Sequence, residues 1–172
     1  MPPTEESRHT PFPTSQPGLL GASQDATAQI LDRLHQHGAR HTRYQSRGEV
    51  ARGGMGLILR VWDEDLRREL AMKVVLGESG TAKTAEIAPK TLGRFLEEAQ
   101  VTGQLDHPGI VPVHELGLDE RGAVFFTMRL VKGRDLKEIF DLVQRGDPEW
   151  TLTRVLWVLL KVCDAMAYAH SK

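Results

Sequence analysis

From Tyr44 to Val131 the chain is a series of short strand-like runs separated by turn residues, and a helical run breaks the series once. "YQSRGEVA" (44–51) and "GLILRVWD" (56–63) flank the glycine cluster Gly53-Gly54-Met55-Gly56, which predicts an antiparallel hairpin. "DEDLRR" supplies a turn, and "ELAMKVVL" (69–76) reads as a third strand. Leu92, Phe95, Ala99 and Leu105 then recur at helical spacing through "TLGRFLEEAQVTGQL" (91–105). "DHPG" stops that helix, and "IVPVHELGLDERGAVFFTMRLV" gives two further strands around a turn at Asp119–Gly122. After Gly133 the remainder is helical, as "RDLKEIFDLVQRG" and "TLTRVLWVLLKVCDAMAYAHSK". Five strands, with one helix after the third and helices at the end, make an α+β order.

The 172 residues allow one ordinary domain, or one lobe and a tail. Residues 1–22 hold five of the nine prolines with Ser, Thr and Glu, and are predicted to be disordered. A short helix follows in residues 23–43, with Ser23 as cap, Ile30, Leu31 and Leu34 as its apolar stripe and Gly38 as its stop. The basic "ARHTRYQSR" reads as a linker, and Gly77–Lys90 as a mobile insertion. Lys+Arg number 22 against 23 Asp+Glu, so no charge excess draws the chain to nucleic acid or to an anionic membrane. Cys163 is the single cysteine and cannot form an internal disulfide, which fits a reducing cytosol. The first residues carry no apolar signal core, and the apolar run Val155–Val162 is far shorter than the roughly 20 residues of a membrane span. These features predict a soluble, cytoplasmic protein.

Two groups of residues can carry chemistry. Glycines in the segment Ala51-Arg52-Gly53-Gly54-Met55-Gly56 let a backbone approach a ligand and turn N–H groups toward phosphate oxygens. No Gly-Lys-Ser/Thr follows and the next segment is a strand, so neither a Walker A loop nor a dinucleotide fingerprint fits. Standing alone, such a cluster is equally a plain hairpin. Lys73 adds to it: on a strand it shares a face with Ala71, a small residue that leaves room for a flat ring beside the ammonium. A lysine turned inward needs an acid, because an unpaired buried ammonium is costly. Glu97 and Glu98 compete for that place on the following helix. Glu98 shares an apolar edge with Val101 and Leu105, whereas Glu97 aligns with Gly93 and Gln104, so Glu98 is the expected partner. The histidines of "HQHGARH" lack a ligand pattern, so no metal is assigned there, and His107 reads as structural.

In this order, "ARGGMG", "LAMKVV", "RFLEEAQVTGQLDHPGIVPVHELG", "KGRDL" and "VCDAMAYAHSK" resemble eukaryotic-like (Hanks-type) bacterial serine/threonine protein kinases. The resemblance runs from about Tyr44 to Lys172. It implies a kinase small lobe over 44–131, a five-stranded antiparallel sheet with one helix, and over 132–172 a hinge with the first helices of a large lobe. It implies ATP as ligand, with Gly53 and Gly56 as the second and third glycines of the phosphate-covering loop and Gly54 between them. Ala51 stands where the first glycine is usual, and its Cβ tolerates positive φ poorly. Lys73 would hold the α- and β-phosphates and Glu98 would be its ion-pair partner. Val50, Ile58 and Ala71 would sandwich the adenine, with Met128 as gatekeeper. The backbone of Arg129 and Val131 would meet the adenine edge, and Asp135 the ribose.

The resemblance also implies a His-Arg-Asp catalytic loop, a metal-binding Asn and an Asp-Phe-Gly segment, none of which occurs in these residues. Mg²⁺ is therefore expected only with a further lobe, and residues 1–172 alone are expected to be inactive, as a truncated product or incomplete record. The final helix is apolar nearly all round, which predicts an exposed patch at Trp157 able to mediate self-association. Alternatives are a pseudokinase-like regulatory module that binds nucleotide or a partner, and an unrelated β-rich scaffold with a chance glycine hairpin. The protein substrate is not legible.

Overall fold

The computed structural model describes residues 24–36, 43–54, 56–77 and 87–172. The elements follow in the order α1 (Gln24–Gln36), β1 (Tyr44–Gly53), β2 (Gly56–Asp63), β3 (Arg68–Val75), α2 (Pro89–Gly103), β4 (Val113–Leu118), β5 (Val124–Arg129), α3 (Leu136–Gln144) and α4 (Leu152–His170). The five strands form one sheet in the order β1-β2-β3-β5-β4, antiparallel at every pairing. The α+β class and the helix after the third strand are as expected. Residues 1–22, the Ser23 cap and the Gly38 stop lie outside the described residues.

Alternation along the strands divides the core between two faces. Val75, Val124, Phe126 and Leu118 point to one face and pack with Leu92, Phe95, Leu96 and Ala99 of α2. Val61, Leu70, Met72, Val74 and Phe125 form the core of the other face. Phe95 and Leu96 are fully buried, and each contributes roughly 1.5–3 kcal/mol by leaving water. Two boundaries differ from expectation. Pro89 begins α2 and Ile87 is buried in the core, so the end of the supposed insertion is structured. A proline fits there because the first helical N–H has no acceptor to lose. The helix also stops at Gly103, which leaves Leu105 beyond it.

The basic segment before β1 is not a linker at Arg43. Its guanidinium donates to both oxygens of Asp63, at 2.9 and 3.0 Å, and to Glu115 at 3.0 Å. The Tyr44 hydroxyl donates to the same Glu115 oxygen at 2.5 Å. This clasp ties the start of β1 to the end of β2 and, across the sheet, to β4. Hydrogen bonding from Arg43 holds the Asp63 carboxyl below the usual carboxylate range, and two backbone N–H groups assist. Burial, and then the Glu115 carboxylate, push the Tyr44 hydroxyl up.

The helical end joins the sheet through the turn after α2. His107 stacks on Tyr168 of α4 at 5.1 Å and accepts from the Gly109 N–H at 3.0 Å, while the Tyr168 hydroxyl accepts from the Asp106 N–H at 3.1 Å. His107 is therefore a joint between the turn and α4. Asp135 caps α3 by accepting from the Glu138 N–H at 2.8 Å, and Thr151 caps α4 in the same way. On α4 only Val155 and Ala165 are buried, while Leu152, Leu156, Trp157, Leu160, Val162 and Met166 are exposed.

Candidate functional site

The face of the sheet that carries α2 also carries Lys73. In the pairing register Lys73 lies opposite Ile58 on β2 and Phe126 on β5, and Ala71 lies opposite Arg60 and Met128. Directly opposed residues share a face, so Ile58, Ala71, Lys73 and Met128 share one surface. Ala71 is buried, while Ile58, Lys73 and Met128 are partly open.

Lys73 Nζ donates to both carboxylate oxygens of Glu98, at 2.6 Å each. It also lies 5.9 Å from the Phe95 ring centroid and 5.7 Å from that of Phe126, within cation–π range. The lysine side chain is 15% exposed and the glutamate 39%. The cation is therefore held inward beside the packed ring pair Phe95–Phe126 while its partner stays half in water. Glu98, not Glu97, makes this contact. Glu98 stands three positions after buried Phe95, the spacing of neighbours on one helix face, so the ring seated under the sheet carries the carboxylate to the lysine. The contact cannot depend on Leu105, which α2 does not include.

The hairpin of β1 and β2 closes at the pair Gly53–Gly56. At Gly56 a Cβ would stand 2.5 Å from the Val74 carbonyl oxygen of β3, so only glycine fits. Nothing lies within 4 Å of the position a Cβ would take at Gly53 or Gly54, which leaves that part of the turn open. Val50 and Ala51 are exposed beside it. Among the described non-glycine residues Arg67 alone has positive φ, so Ala51 takes its place without backbone strain. The β1–β2 register is irregular between Glu49 and Ala51.

Past β5 the Arg129 N–H donates to the Pro112 carbonyl at 3.3 Å. Val131 is exposed, and Asp135 lies at the start of α3 with one oxygen engaged in its cap. Among the described residues no three His, Cys, Asp or Glu side chains gather as a metal site. A cavity of about 370 Å³ lies elsewhere, between α1 and β4, lined by Ile30, Leu34, Tyr44, Glu115, Leu116 and Phe125 among others. Neither Lys73 nor Glu98 borders it. Chemistry rather than volume marks the site: the paired cation, the small residue beside it and the open glycine turn belong to the Lys73 face.

No family model matches the chain. It is 31% identical over 137 residues to the serine/threonine-protein kinase PknD of Protochlamydia amoebophila, covering 75% of this chain and 13% of that protein. It is 30% identical over 130 residues to the serine/threonine-protein kinase pkn3 of Myxococcus xanthus, covering 74% of this chain and 22% of that protein. Among solved structures, the kinase domain of Mycobacterium tuberculosis PknI aligns with a TM-score of 0.53 and 25% identity, over 78% of this chain and 50% of that one. The chain thus spans under a quarter of these curated relatives and about half of that kinase domain.

Proposed function

Since the chain belongs to the eukaryotic-like (Hanks-type) bacterial serine/threonine protein kinases, with their small lobe as its sheet and α2, we propose that the Lys73 face holds ATP for phosphoryl transfer to protein Ser or Thr. The observation that carries this is the Lys73–Glu98 pair beside an open glycine turn. An ammonium fixed in a partly dry site stabilises phosphate charge more than a mobile surface lysine does, because no reorganisation is needed when the ligand arrives. Glu98 holds that ammonium in place. Gly53, Gly54 and Gly56 let the hairpin lie close over the phosphates, with Ala51 at its base. Val50, Ile58 and Ala71 flank the adenine, and Met128 lies at its inner edge. The Arg129 N–H already has an acceptor, so on this reading the adenine edge is left to the Arg129 carbonyl and the Val131 backbone. Asp135 offers the ribose its second carboxylate oxygen.

The same residues lack a base for the substrate hydroxyl and the ligands for Mg²⁺, which in this family neutralises charge on the transferring phosphoryl group. Residues 1–172 alone therefore bind nucleotide without turnover. The exposed apolar row on α4 favours a second reading, in which a chain of this length regulates by binding rather than chemistry.

Affinity for a fluorescent non-hydrolysable ATP analogue tests the site. Lys73→Met removes a charge-assisted contact of roughly 1.5–3 kcal/mol, so affinity should fall about 10- to 100-fold. Unchanged affinity would refute the Lys73 face as the nucleotide site. Phosphate transfer from ATP to a generic protein by purified residues 1–172 would refute the inactivity.

A further inference from the structure

We infer that Ile30 of α1 is a positioning residue for the Lys73–Glu98 pair, acting through α2. The inference deepens the nucleotide-site reading and rests on it for its functional consequence.

Helix α1 contacts both α2 and β4, so it spans the corner between the Glu98-bearing helix and the edge of the sheet, above the cavity toward β4. Ile30 is buried there, in the same apolar cluster as Leu92, Phe95, Leu96 and Ala99 of α2 and Leu118 of β4. Leu31 and Leu34 pack against that cluster, half-buried. A second contact is independent of these. The position of a Cβ on Gly93 of α2 lies 3.7 Å from the Thr27 hydroxyl oxygen, so α1 crosses α2 at a residue with no side chain to hold it off.

Glu98 adjoins Ala99, a residue of the braced cluster, and its carboxylate is half in water. Solvent competes for such a carboxylate, and only the placement of its helix keeps it 2.6 Å from Lys73. The sheet side of α2 is fixed by Phe95 and Leu96. Its flank toward β4 is fixed by α1. Cutting Ile30 back removes its packing on α2 and enlarges the space beside it, and the lining of such a void moves in only part of the way. A roll of α2 into the void carries Glu98 along and loosens its hold on Lys73.

The test labels lysines in the whole chain with acetic anhydride and reads Lys73 against exposed Lys161 by mass spectrometry. A lysine held by a carboxylate acetylates slowly. Ile30→Ala should raise the Lys73:Lys161 ratio several-fold while circular dichroism still shows a cooperative fold, and Ile30→Val should restore most of the protection. In a Glu98→Gln background, where the pair is already weakened, Ile30→Ala should add nothing, because both changes act on one contact. A lowered melting temperature with an unchanged ratio would make Ile30 an ordinary core residue and overturn the inference, as would an undiminished increase in the Glu98→Gln background. If Ile30→Ala does not fold, Leu31→Ala and Leu34→Ala serve in the same comparison. Labelling needs no nucleotide. A failed brace therefore shows in the ratio, and a failed nucleotide site shows in the affinity for the ATP analogue.

Discussion

Replacing Arg43 with alanine leaves Asp63 as a carboxylate with no exposed surface, whose nearest remaining cation is the more exposed Arg68 at 3.9 Å. The arginine gives it two hydrogen bonds, at 2.9 and 3.0 Å, and the Asp63 side chain is 0% exposed against 16% for the arginine. Removing one partner of a fully buried ion pair costs roughly 3–5 kcal/mol. Two features reduce that figure here. The N–H groups of Asp65 and Leu66 still reach Asp63, at 3.2 and 3.3 Å, and the arginine is itself partly wet. Glu115 keeps the Tyr44 hydroxyl as donor. The net loss should be about 2–4 kcal/mol, a large part of the 5–15 kcal/mol that holds a typical domain together.

Urea unfolding measures this loss. With a slope of about 2 kcal/mol per molar, the middle of the usual range, the midpoint should fall by roughly 1–2 M while the slope itself stays constant. The dependence on pH gives a second signature. The folded carboxyl of Asp63 lies below its unfolded value, chiefly through Arg43. Its stabilisation is therefore complete above the ordinary carboxylate range and is lost as pH falls through the folded value. Arg43→Ala should flatten that acid limb. Arg43→Met with Asp63→Leu should recover much of the loss, because no stranded charge remains. A loss below about 1 kcal/mol would refute the reasoning and place the clasp among surface ion pairs.

Three further outcomes can be measured. Gly56→Ala drives a Cβ to 2.5 Å from the Val74 carbonyl, so it should cost about 1–3 kcal/mol in thermal unfolding and weaken binding of the ATP analogue. Gly93→Ala places its Cβ in ordinary contact with Thr27 and removes a helix-interior glycine, so it should stabilise the chain by up to about 1 kcal/mol in urea. Sedimentation of purified residues 1–172 should show self-association that Trp157→Glu diminishes, since Trp157 is 64% exposed in an apolar row on α4.

Local pattern was enough wherever one element decided the outcome. Short strand-like runs between turn residues located all five strands, and the apolar spacing of α2 located its buried stripe. The preference for Glu98 over Glu97 came from helix geometry, although one leg of it, Leu105, lies outside the helix. Arg43 was beyond reach for a physical reason. Its partners stand 20 and 72 residues away, and within "ARHTRYQSR" nothing separates a clasping arginine from a solvated one. Ala51 takes no positive φ, and the register irregularity beside it on β1 has no signal in the sequence. In α1 the stripe of Ile30, Leu31 and Leu34 announced an apolar face but not what that face covers.

The same distinction shows why Lys73 is informative. A strand lysine facing water needs no explanation, whereas this one lies beside two packed aromatic rings and donates to both oxygens of a carboxylate from another element. An aliphatic residue could pack against Phe95 and Phe126 without needing an acid, and stability alone would favour it. A fixed cation in that place costs desolvation and demands a partner. The pair therefore makes physical sense when a third, anionic group is to approach the open glycine turn and share the ammonium. Because Glu98 is half in water, Lys73 can turn partly toward such a group without stranding either charge, which an ion pair sealed in the core could not do.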